Sequence, residues 1–344
     1  MYPSLLLETL INHKDLTEDE ASVLMNEILN GNLTTAQTAG FLTALRSKGE
    51  SISEIIGFVK ALRNSMIKVA VKSKVLIDTC GTGGDGAGTF NISTAAAFVV
   101  AGAGFKVAKH GNRSVSSLCG SADVLEALGI KADMSKAVAE RCLEEIGITF
   151  LFAPLYHPAM KNVAPVRKEL GVRTVFNLLG PLLNPALSNV QIIGVSKPEL
   201  VPLMTRVLQA LQGDRGCAII LHDSGLDEWC LTQAAQANLI LNGRVKNLKL
   251  PTELLGCTQL DFKDLKGGDA KTNAQIILDI LNGKEGPFKN IVIVNAALAI
   301  YCAKLIEGDT GFFLEDAGKA AQNSIRSGTA LKKLNDFKEW SHKI

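Results

Sequence analysis

The segment with the strongest chemical character reads GTGGDGAGTFNIST over residues 81–94, directly after the apolar run at 75–77. It places five glycines, Asp85 and four hydroxyl side chains where a buried strand is expected to give way to a helix. Glycines permit positive φ and leave no Cβ to block a ligand, and successive N–H groups in such a turn form a concave anion site. The free N–H groups and positive dipole of the following helix strengthen that site. The pattern therefore predicts binding of a polyphosphate.

Two other phosphate-binding patterns fit this segment less well. Gly81, Gly83 and Gly86 satisfy GxGxxG, but a dinucleotide fold also needs an acidic residue about 20 positions on, at the end of the second strand. Here the second predicted strand ends in Lys109 and His110, which suit a phosphate and not a ribose diol. A Walker A loop ends in GK[ST], which this segment lacks. A plain structural turn is the remaining alternative, but it needs fewer glycines and hydroxyls.

A second polar cluster, KHGNRSVSSLCGS, spans residues 109–121 after the second predicted strand. In a parallel sheet it lies at the same carboxyl edge as the glycine-rich segment, where open α/β sheets bind ligands. Lys109 and Arg113 can pair with phosphate oxygens. Neutral hydrogen bonds can come from Asn112, Ser114, Ser116, Ser117 and Ser121. The alternative is a solvated polar loop that caps a helix beginning at residue 121.

Adjacent carboxylates, Asp227 and Glu228, stand in the segment HDSGLDEW after a later predicted strand. Mg²⁺ takes a few carboxylates together with substrate phosphates and waters, so the pair predicts a magnesium site beside the two phosphate-type loops. Such a pair is also common on protein surfaces, and only the two loops favour the metal. His110 and His157 have a structural alternative as hydrogen-bonding groups, and Trp229 is expected to pack.

The first 70 residues are predicted to be wholly helical, with four short helices of which one lies near residues 3–13. Gly31 and Gly49 stand where two of these helices are expected to stop. Three sequences of capping-box type pair Thr17 with Glu20, Thr34 with Gln37 and Ser51 with Glu54.

From residue 75 onward the pattern alternates between strand and helix, which predicts a mostly parallel sheet covered by helices. Candidate strands are 75–78, 105–109, 148–152, 190–195, 217–221 and 290–294. Helical patterns fall near 93–101, 121–128, 135–146, 198–212, 271–282 and 295–305, and the tail 311–342 is again helical. Asn242-Gly243 predicts one β-hairpin over 238–249.

The stretch 158–189 interrupts the alternation with four prolines and a short amphipathic helix around 164–170. It is expected to cross back to the helical domain as a hinge and to place Arg167 in the cleft between domains. The predicted division is a helical domain over 1–70, joined by part of 164–189, and an α/β domain over 71–344.

Composition excludes several functional classes. Of 344 residues, 47% are hydrophobic, so a large core is expected and disorder is not. The net charge of +2 offers no broad basic surface for nucleic acid or membrane. No apolar run reaches the roughly 20 residues of a bilayer span, and the N-terminus lacks the basic start of a signal peptide. Seven scattered cysteines without CxxC predict reduced thiols in a cytoplasmic protein, and the five histidines show no zinc pattern.

The glycine segment, KHGNRSVSS, HPAMKNVAPVRKELGVRTVFNLLGPLLNP and LDE, in this order, resemble the anthranilate phosphoribosyltransferases of tryptophan biosynthesis over essentially the whole chain. The resemblance implies an α/β fold of the nucleoside phosphorylase/phosphoribosyltransferase type, with a small helical N-terminal domain and a mostly parallel central sheet in the larger domain. It implies Mg-dependent transfer of the phosphoribosyl group from phosphoribosyl pyrophosphate to anthranilate, with two Mg²⁺ per subunit. It also implies a homodimer that pairs through the helical domain.

The same resemblance implies roles for individual residues. Magnesium would be held by Ser93, Asp227 and Glu228, and anthranilate would meet Gly81, Asn112 and Arg167. Lys109, Arg167, Asp227 and Glu228 would carry the catalysis. Phosphoribosyl pyrophosphate would bind Gly81, Gly84, Asp85, Thr89, Asn91, Ile92, Ser93, Thr94, Lys109, His110, Gly111, Asn112, Arg113, Ser114, Val115, Ser116, Ser117 and Ser121.

Two other functions remain open on the sequence. A pyrimidine nucleoside phosphorylase shares the helical-plus-α/β architecture and a glycine-rich phosphate loop, but it has no need of the paired carboxylates or the NIST run. A non-catalytic nucleic-acid-binding relative would require a strongly basic surface, which a net charge of +2 does not supply.

Overall fold

The computed structural model describes residues 3–114 and 118–343. The chain begins with four helices: α1 (Pro3–Ile11), α2 (Glu18–Leu29), α3 (Thr35–Lys48) and α4 (Ile52–Ser65). The three predicted capping boxes are confirmed, with Thr17, Thr34 and Ser51 each closing the box at its helix N-terminus. Gly49 caps the end of α3 at φ 89°, and Gly31 follows the cap of α2 at φ 73°. Local sequence thus sets the starts of α2, α3 and α4 and the ends of α2 and α3.

A single seven-stranded sheet forms the centre of the remaining chain, in the order β3-β2-β1-β4-β5-β6-β7. The first five strands along the sheet are parallel, and β5, β6 and β7 pair antiparallel. The predicted hairpin is confirmed, with Asn242 and Gly243 both at positive φ between β6 and β7. The strands are β1 (Ile77–Asp78), β2 (Val107–Gly111), β3 (Ile148–Phe152), β4 (Val190–Gly194), β5 (Cys217–His222), β6 (Gln236–Leu241) and β7 (Arg244–Asn247).

Helices cover both faces of this sheet, so the predicted α/β class is confirmed. Along β4, Ile192 faces one hydrophobic core and Ile193 faces another, as the two-residue period of a strand requires. The core that contains Ile193 also includes side chains of the first four helices. The helices are α5 (Ile92–Gly102), α6 (Ser121–Ala127), α7 (Lys136–Glu145), α8 (Ala153–Tyr156), α9 (Ala164–Leu170), α10 (Phe176–Leu179), α11 (Leu200–Gln212), α12 (Ala270–Leu281), α13 (Pro287–Glu307), α14 (Leu314–Arg326) and α15 (Thr329–Trp340).

Helix α13 corrects two expectations, the strand at 290–294 and the absence of an apolar run of bilayer length. The predicted strand at 290–294 is wrong, because these residues lie within the 21-residue helix that starts at Pro287. Their β-branched run is buried on all sides, and a fully buried helix and a buried strand give the same short apolar pattern. Residues 287–307 are also long and apolar enough for a membrane span by length and composition. Most of that helix is buried among other elements, as the core helix of a soluble protein would be.

The segment after β3 returns to the first four helices. Helix α9 packs against α3, and Val163 and Val166 join the core that those helices share with one face of the sheet. The Asn162 side-chain amide donates to the Leu29 carbonyl at 2.6 Å, which ties the segment to the end of α2. This packing agrees with the predicted crossing of 158–189. The division of the chain at residue 70 stays a prediction.

Candidate active site

The glycine-rich turn between β1 and α5, here called the glycine loop (residues 81–88), depends on glycine for its path. Gly83, Gly84, Gly86 and Gly88 have φ between 64° and 77°, a region that residues with a Cβ avoid. Asn91 stands at the N-cap of α5, but its side chain does not cap the helix. The loop therefore exposes backbone groups at the carboxyl edge of the sheet, where ligands bind in open α/β folds.

Three loops meet around Asp227. Its Oδ2 accepts the Gly83 N–H at 2.9 Å, and the Gly194 carbonyl at the end of β4 accepts the Thr82 N–H at 2.9 Å. A Cβ on Gly194 would lie 1.5 Å from the Asp227 carbonyl oxygen, and a Cβ on Gly81 would lie 2.9 Å from Asp227 Oδ2. The close approach of backbone thus requires glycine at position 194, whereas a side chain at position 81 would displace the Asp227 carboxylate. Sequence reasoning missed Gly194, because its partner is distant in the chain.

Asp85, Asp227 and Glu228 form a cluster of carboxylates, called here the carboxylate cluster, whose ligand oxygens lie within 4.8 Å of one another. Burial, followed by the negative charge of Asp227, raises the pKa of Asp85 and raises that of Glu228 well above its usual range. Glu228 Oε2 and Asp85 Oδ2 are buried and have no hydrogen-bond partner in the described part of the chain. The Lys109 charge opposes the shift at Glu228 but does not cancel it, so the cluster brings together carboxylates whose negative charges repel one another.

A cavity of about 40 Å³ opens beside this cluster, large enough for a water-sized group. Its walls come from β4, from the loops that follow β1 and β5, and from helices α5 and α13. The lining residues are Thr79, Gly81, Ser93, Ala96, Ile192, Gly194, Asp227, Glu228 and Asn295.

Buried hydrogen bonds hold the loop that carries the paired carboxylates Asp227 and Glu228. Trp229 is fully buried, in agreement with the predicted packing role, and its backbone N–H donates to Asn295 Oδ1 on α13 at 3.0 Å. Asn295 Nδ2 returns a hydrogen bond to the Trp229 carbonyl at 3.0 Å. The buried Asp223 carboxylate accepts the Cys230 N–H at 2.8 Å. These contacts hold Asp227 and Glu228 at the rim while the residues around them are buried.

Lys109 is the buried cation of the site, with 4% of its surface exposed. Its Nζ lies 3.2 Å from both Ser93 Oγ and the Thr79 carbonyl, so the ammonium joins β2 to the start of α5. Behind it, burial raises the pKa of Asp78 to about 6, a shift that the Lys109 charge opposes. Asp78 also accepts a hydrogen bond from Asn184 Nδ2 at 2.7 Å. Neither Asp78 nor Asn184 was predicted from the sequence.

His110 and His157 face each other with ring centroids 5.3 Å apart. Burial lowers the pKa of His110 to about 3 and that of His157 to about 4, so both imidazoles are neutral at pH 7. His110 Nδ1 lies 3.1 Å from the Gly180 carbonyl oxygen. The contact with Gly180 agrees with the structural alternative for His110, whose binding role stays a prediction. Both ring nitrogens of His157 are buried without a hydrogen-bond partner in the described chain, so the hydrogen-bonding role expected for His157 is wrong.

The loop after β2 contains Arg113, which was expected to bind phosphate. Its guanidinium instead pairs with Asp123 at 3.1 Å and Glu126 at 2.6 Å and lies 5.5 Å from the Phe152 ring centroid. The hydrogen bonds that Arg113 donates to Glu126 and Asp123 raise the pKa of Arg113. Phosphate binding by Arg113 would require this exposed pair to open, and it stays a prediction.

The other predicted binding residues occupy several positions around these loops. Asn112 accepts a hydrogen bond from Ser121 Oγ through its carbonyl at 3.2 Å. Asn91 Nδ2 donates to the Cys119 carbonyl at 3.2 Å and so links the glycine-rich segment to the loop after β2. Thr89 forms an isolated β-bridge with Lys266, and Ile92 and Thr94 are buried in the first turn of α5. Gly111 ends β2, and the Ser114 backbone N–H donates to the Asp123 carboxylate. Val115, Ser116 and Ser117 lie outside the described residues.

Two arginines approach from the segment after β3. Arg167 on α9 is half-buried, with its guanidinium carbon 5.1 Å from the Phe176 ring centroid, and burial lowers its pKa. No carboxylate within residues 3–114 and 118–343 lies at ion-pair distance from it. Arg173, which sequence reasoning did not single out, donates to the Gly84 carbonyl at 2.5 Å. Its signal in the sequence was its place within the segment 157–185, which carries part of the family resemblance.

Comparison with known proteins matches both parts of the chain. A family model described as the glycosyl transferase family, helical bundle domain, matches residues 4–66, and the a/b domain model of that family matches residues 73–331. The anthranilate phosphoribosyltransferase of Thermoanaerobacter sp. (strain X514) is 47% identical over 339 residues, which cover 98% of each chain. That of Anaeromyxobacter dehalogenans is 49% identical over 328 residues, covering 95% of each.

Solved structures give the same result. The anthranilate phosphoribosyltransferase from Thermus thermophilus is 37% identical with a TM-score of 0.88, over 98% of this chain and 99% of that one. The enzyme from Saccharomyces cerevisiae, solved in complex with PRPP and Mg, is 28% identical with a TM-score of 0.85, over 96% of this chain and 94% of that one. Another structure of the yeast enzyme contains 4-fluoroanthranilate and has a TM-score of 0.84 at 26% identity, over 98% of this chain and 99% of that one.

Proposed function

This chain belongs to the anthranilate phosphoribosyltransferase family, and from that membership we propose that it transfers the phosphoribosyl group of 5-phosphoribosyl 1-pyrophosphate to the amine of anthranilate. The products are N-(5-phosphoribosyl)anthranilate and pyrophosphate, in the second step of the tryptophan branch. One observation carries the proposal: the glycine loop, the buried Lys109 ammonium and the carboxylate cluster meet at one edge of the sheet.

The donor set of the carboxylate cluster fits a divalent cation. Glu228 Oε2 is buried without a partner among the described residues, and Ser93 lines the same cavity as Asp227 and Glu228. Hard oxygen ligands of this kind are those that Mg²⁺ takes together with substrate phosphates. We propose that Ser93, Asp227 and Glu228 hold two Mg²⁺ per subunit. When bound, these ions supply positive charge to the pyrophosphate that leaves.

The reaction makes its main demand on charge. The anthranilate amine is neutral at pH 7 and already carries a lone pair, so attack on ribose C1 requires no strong base. The transition state instead develops a cationic, oxocarbenium-like ribose and a departing polyanion. Lys109 and the free N–H groups of the glycine loop would stabilise that polyanion, since preorganised charges act strongly in a site that excludes water. Arg113 would add to them once its carboxylate pair opens.

Arg167 is the proposed contact for the anthranilate carboxylate. Its guanidinium is half-buried and pairs with no carboxylate in the described chain, so it is available for a charge-assisted bidentate pair. Such a pair would aim the amine at ribose C1, and orientation of this kind lowers a barrier by bringing the reacting atoms together in advance. Gly81 and Asn112 are the other proposed anthranilate contacts. Movement of the helical domain toward the sheet edge would exclude water, which otherwise hydrolyses the activated ribose.

The proposed assembly and location draw on the surface of the first helices and on the cysteines. Leu5 and Ile11 on α1, Val23 on α2 and Ile52 on α4 expose apolar surface on the first helices, which suits pairing of two copies through the helical domain. The seven cysteines are free, in agreement with a reducing cytoplasm. We propose that the protein acts as a homodimer there, without nucleic-acid or membrane partners.

A fluorescence assay of anthranilate consumption tests the proposal. The purified protein is mixed with anthranilate, phosphoribosyl pyrophosphate and Mg²⁺, and the decrease of anthranilate emission is followed. We expect loss of emission only when all three are present. A chain that consumes no anthranilate but cleaves pyrimidine nucleosides with inorganic phosphate would establish the phosphorylase alternative instead.

A further inference from the structure

Arg173 holds the glycine loop from the side of the segment that carries Arg167. Its Nη1 donates to the Gly84 carbonyl at 2.5 Å, and its Nη2 lies 3.3 Å from the Gly83 carbonyl oxygen. Nη2 also lies 3.4 Å from Ser196 Oγ, just beyond β4. The guanidinium therefore joins the loops after β1 and β4. Gly171, in the left-handed conformation at φ 61°, ends α9 and turns the chain toward this position.

These two contacts determine which way the peptide groups of the loop point. In a planar trans peptide the C=O and the N–H point in opposite directions. The Gly83 and Gly84 carbonyls share their peptides with the N–H groups of Gly84 and Asp85, which therefore point away from Arg173. Neither N–H donates to any group in the described chain. Arg173 thus leaves two donors unpaired on the opposite side of the loop, beside the Gly83 N–H that binds Asp227.

We propose that Arg173 is a positioning residue that presents the N–H groups of Gly84 and Asp85 to the diphosphate of phosphoribosyl pyrophosphate. The inference rests on the proposed function, which supplies the ligand. Arg167, six residues earlier, is the proposed anthranilate contact, so one segment carries an arginine for each substrate. Movement of this segment would then change both sites together.

Steady-state kinetics of Arg173→Ala give the first test. We expect KM for phosphoribosyl pyrophosphate to rise about ten- to hundredfold, the range expected for losing hydrogen bonds to a charged group. KM for anthranilate should stay within about twofold, which a general loss of structure would not produce. Arg173→Lys should recover only part of the loss, because one ammonium cannot reproduce the guanidinium fork. Lys168→Ala is the control, since it removes an exposed cation from the same segment.

A pair of glycine substitutions separates positioning from direct contact with the ligand. Gly84 and Gly86 have φ of 74° and 77°, so alanine is equally strained at both. A Cβ on Gly84 would lie 2.0 Å from Arg173 Nη1, whereas one on Gly86 meets no atom within 4 Å. We expect Gly84→Ala to weaken phosphoribosyl pyrophosphate far more than Gly86→Ala does. Combining Gly84→Ala with Arg173→Ala should add little, because both remove the same contact. If the loss of affinity in the double variant equals the product of the losses in the two single variants, Arg173 contacts the ligand itself, and the proposal is overturned.

Calorimetric titration of each variant with phosphoribosyl pyrophosphate and Mg²⁺ distinguishes failure of the inference from failure of the function. Absence of binding to the unmodified protein would reject the proposed function. Equal binding by the unmodified protein and by folded Arg173→Ala would reject the role of Arg173 alone. Thermal unfolding of each variant checks the fold. If Arg173→Ala does not fold, the comparison of Gly84→Ala with Gly86→Ala decides, and equal losses there overturn the proposal.

Discussion

Replacing Glu228 by glutamine should stabilise the protein in the absence of magnesium while it removes most of the activity. The oxygens of Asp85, Asp227 and Glu228 lie within 4.8 Å of one another, and no described group donates a hydrogen bond to Glu228 Oε2. Two unit charges at that distance repel by roughly 3.5 kcal/mol at an effective dielectric constant of about 20. Glutamine has the shape of glutamate without the charge, so this repulsion is lost and the packing is kept.

Proton uptake limits the size of the effect. Glu228 has an ordinary pKa of 4.5, raised well above that value in the folded protein. Each pH unit between the ordinary pKa and pH 7 corresponds to about 1.4 kcal/mol of free energy, which makes about 3 kcal/mol over this interval. If the repulsion cost more than that, the folded protein would bind a proton at Glu228, so about 3 kcal/mol is the upper limit of the destabilisation at pH 7. Water at the rim reduces the repulsion further. We therefore expect Glu228→Gln to gain about 1–3 kcal/mol at pH 7, or roughly 1–4 °C in Tm for a chain of this length.

The pH dependence has a definite sign. A raised pKa means that the folded state binds the proton more tightly than the unfolded state between pH 4.5 and the folded pKa, so stability falls as pH rises through that window. Relative to the glutamine variant, the unmodified protein should be equally stable near pH 4 and progressively less stable toward pH 8. Thermal unfolding at pH 4, 6 and 8 measures the difference.

The control for this experiment is Glu144→Gln, which removes an exposed charge on α7 far from the site in sequence. It should change Tm by less than about 1 °C, as surface substitutions usually do. Added Mg²⁺ should raise the Tm of the unmodified protein and of Glu144→Gln, because binding to the folded state stabilises it. It should raise that of Glu228→Gln much less. A glutamine variant that is no more stable at pH 8, or equally stabilised at pH 4, would refute the repulsion argument.

Four further outcomes follow from the site. Asp227→Asn combined with Glu228→Gln should keep the fold but lose most activity, with recovery only at raised Mg²⁺; unchanged turnover at low Mg²⁺ would reject the metal assignment. Arg167→Ala should raise KM for anthranilate far more than KM for phosphoribosyl pyrophosphate, and equal changes would remove its role as carboxylate contact. Lys109→Ala should do the reverse in the same kinetic measurement. Gly194→Ala should reduce both stability and activity by displacing Asp227, as a Cβ there meets the Asp227 carbonyl oxygen at 1.5 Å; a melting curve and a rate like those of the unmodified protein would contradict the close contact between these loops.

Much of the fold was predictable because local sequence sets it. Thr17, Thr34 and Ser51 define helix starts through bonds that span only three residues, and Asn242-Gly243 sets a hairpin within a single turn. The alternation of strand and helix patterns predicted a mostly parallel sheet, but not the order of its strands. The failure at 290–294 has the opposite origin. Those residues are helical because the surrounding core buries every side of α13, and no local pattern records what surrounds a segment.

In the candidate site, too, features set by neighbouring residues were predictable and features set by distant residues were not. The glycine loop and the paired carboxylates were visible as residue types in sequence, since each is contained within a few positions. Gly194, Asn184 and Arg173 were not, because each acts on a partner about 30 to 110 residues away. Arg113 shows the converse limit. Its residue type and loop suggested phosphate binding, yet the fold brings Asp123 and Glu126 from α6 to the same guanidinium.

Asp227 links the path of the glycine loop to the charge of the carboxylate cluster. Asp227 both orients the glycine loop through Gly83 and contributes to the carboxylate cluster, so the residues proposed to hold metal also shape the loop proposed to hold diphosphate. Among the described residues, Lys109 supplies the one buried ammonium group that contacts Ser93. One such cation does not balance three carboxylates, and the folded protein carries this excess as a cost in stability. Metal and diphosphate would neutralise each other at this edge only when both are present, so we expect their binding to be mutually dependent.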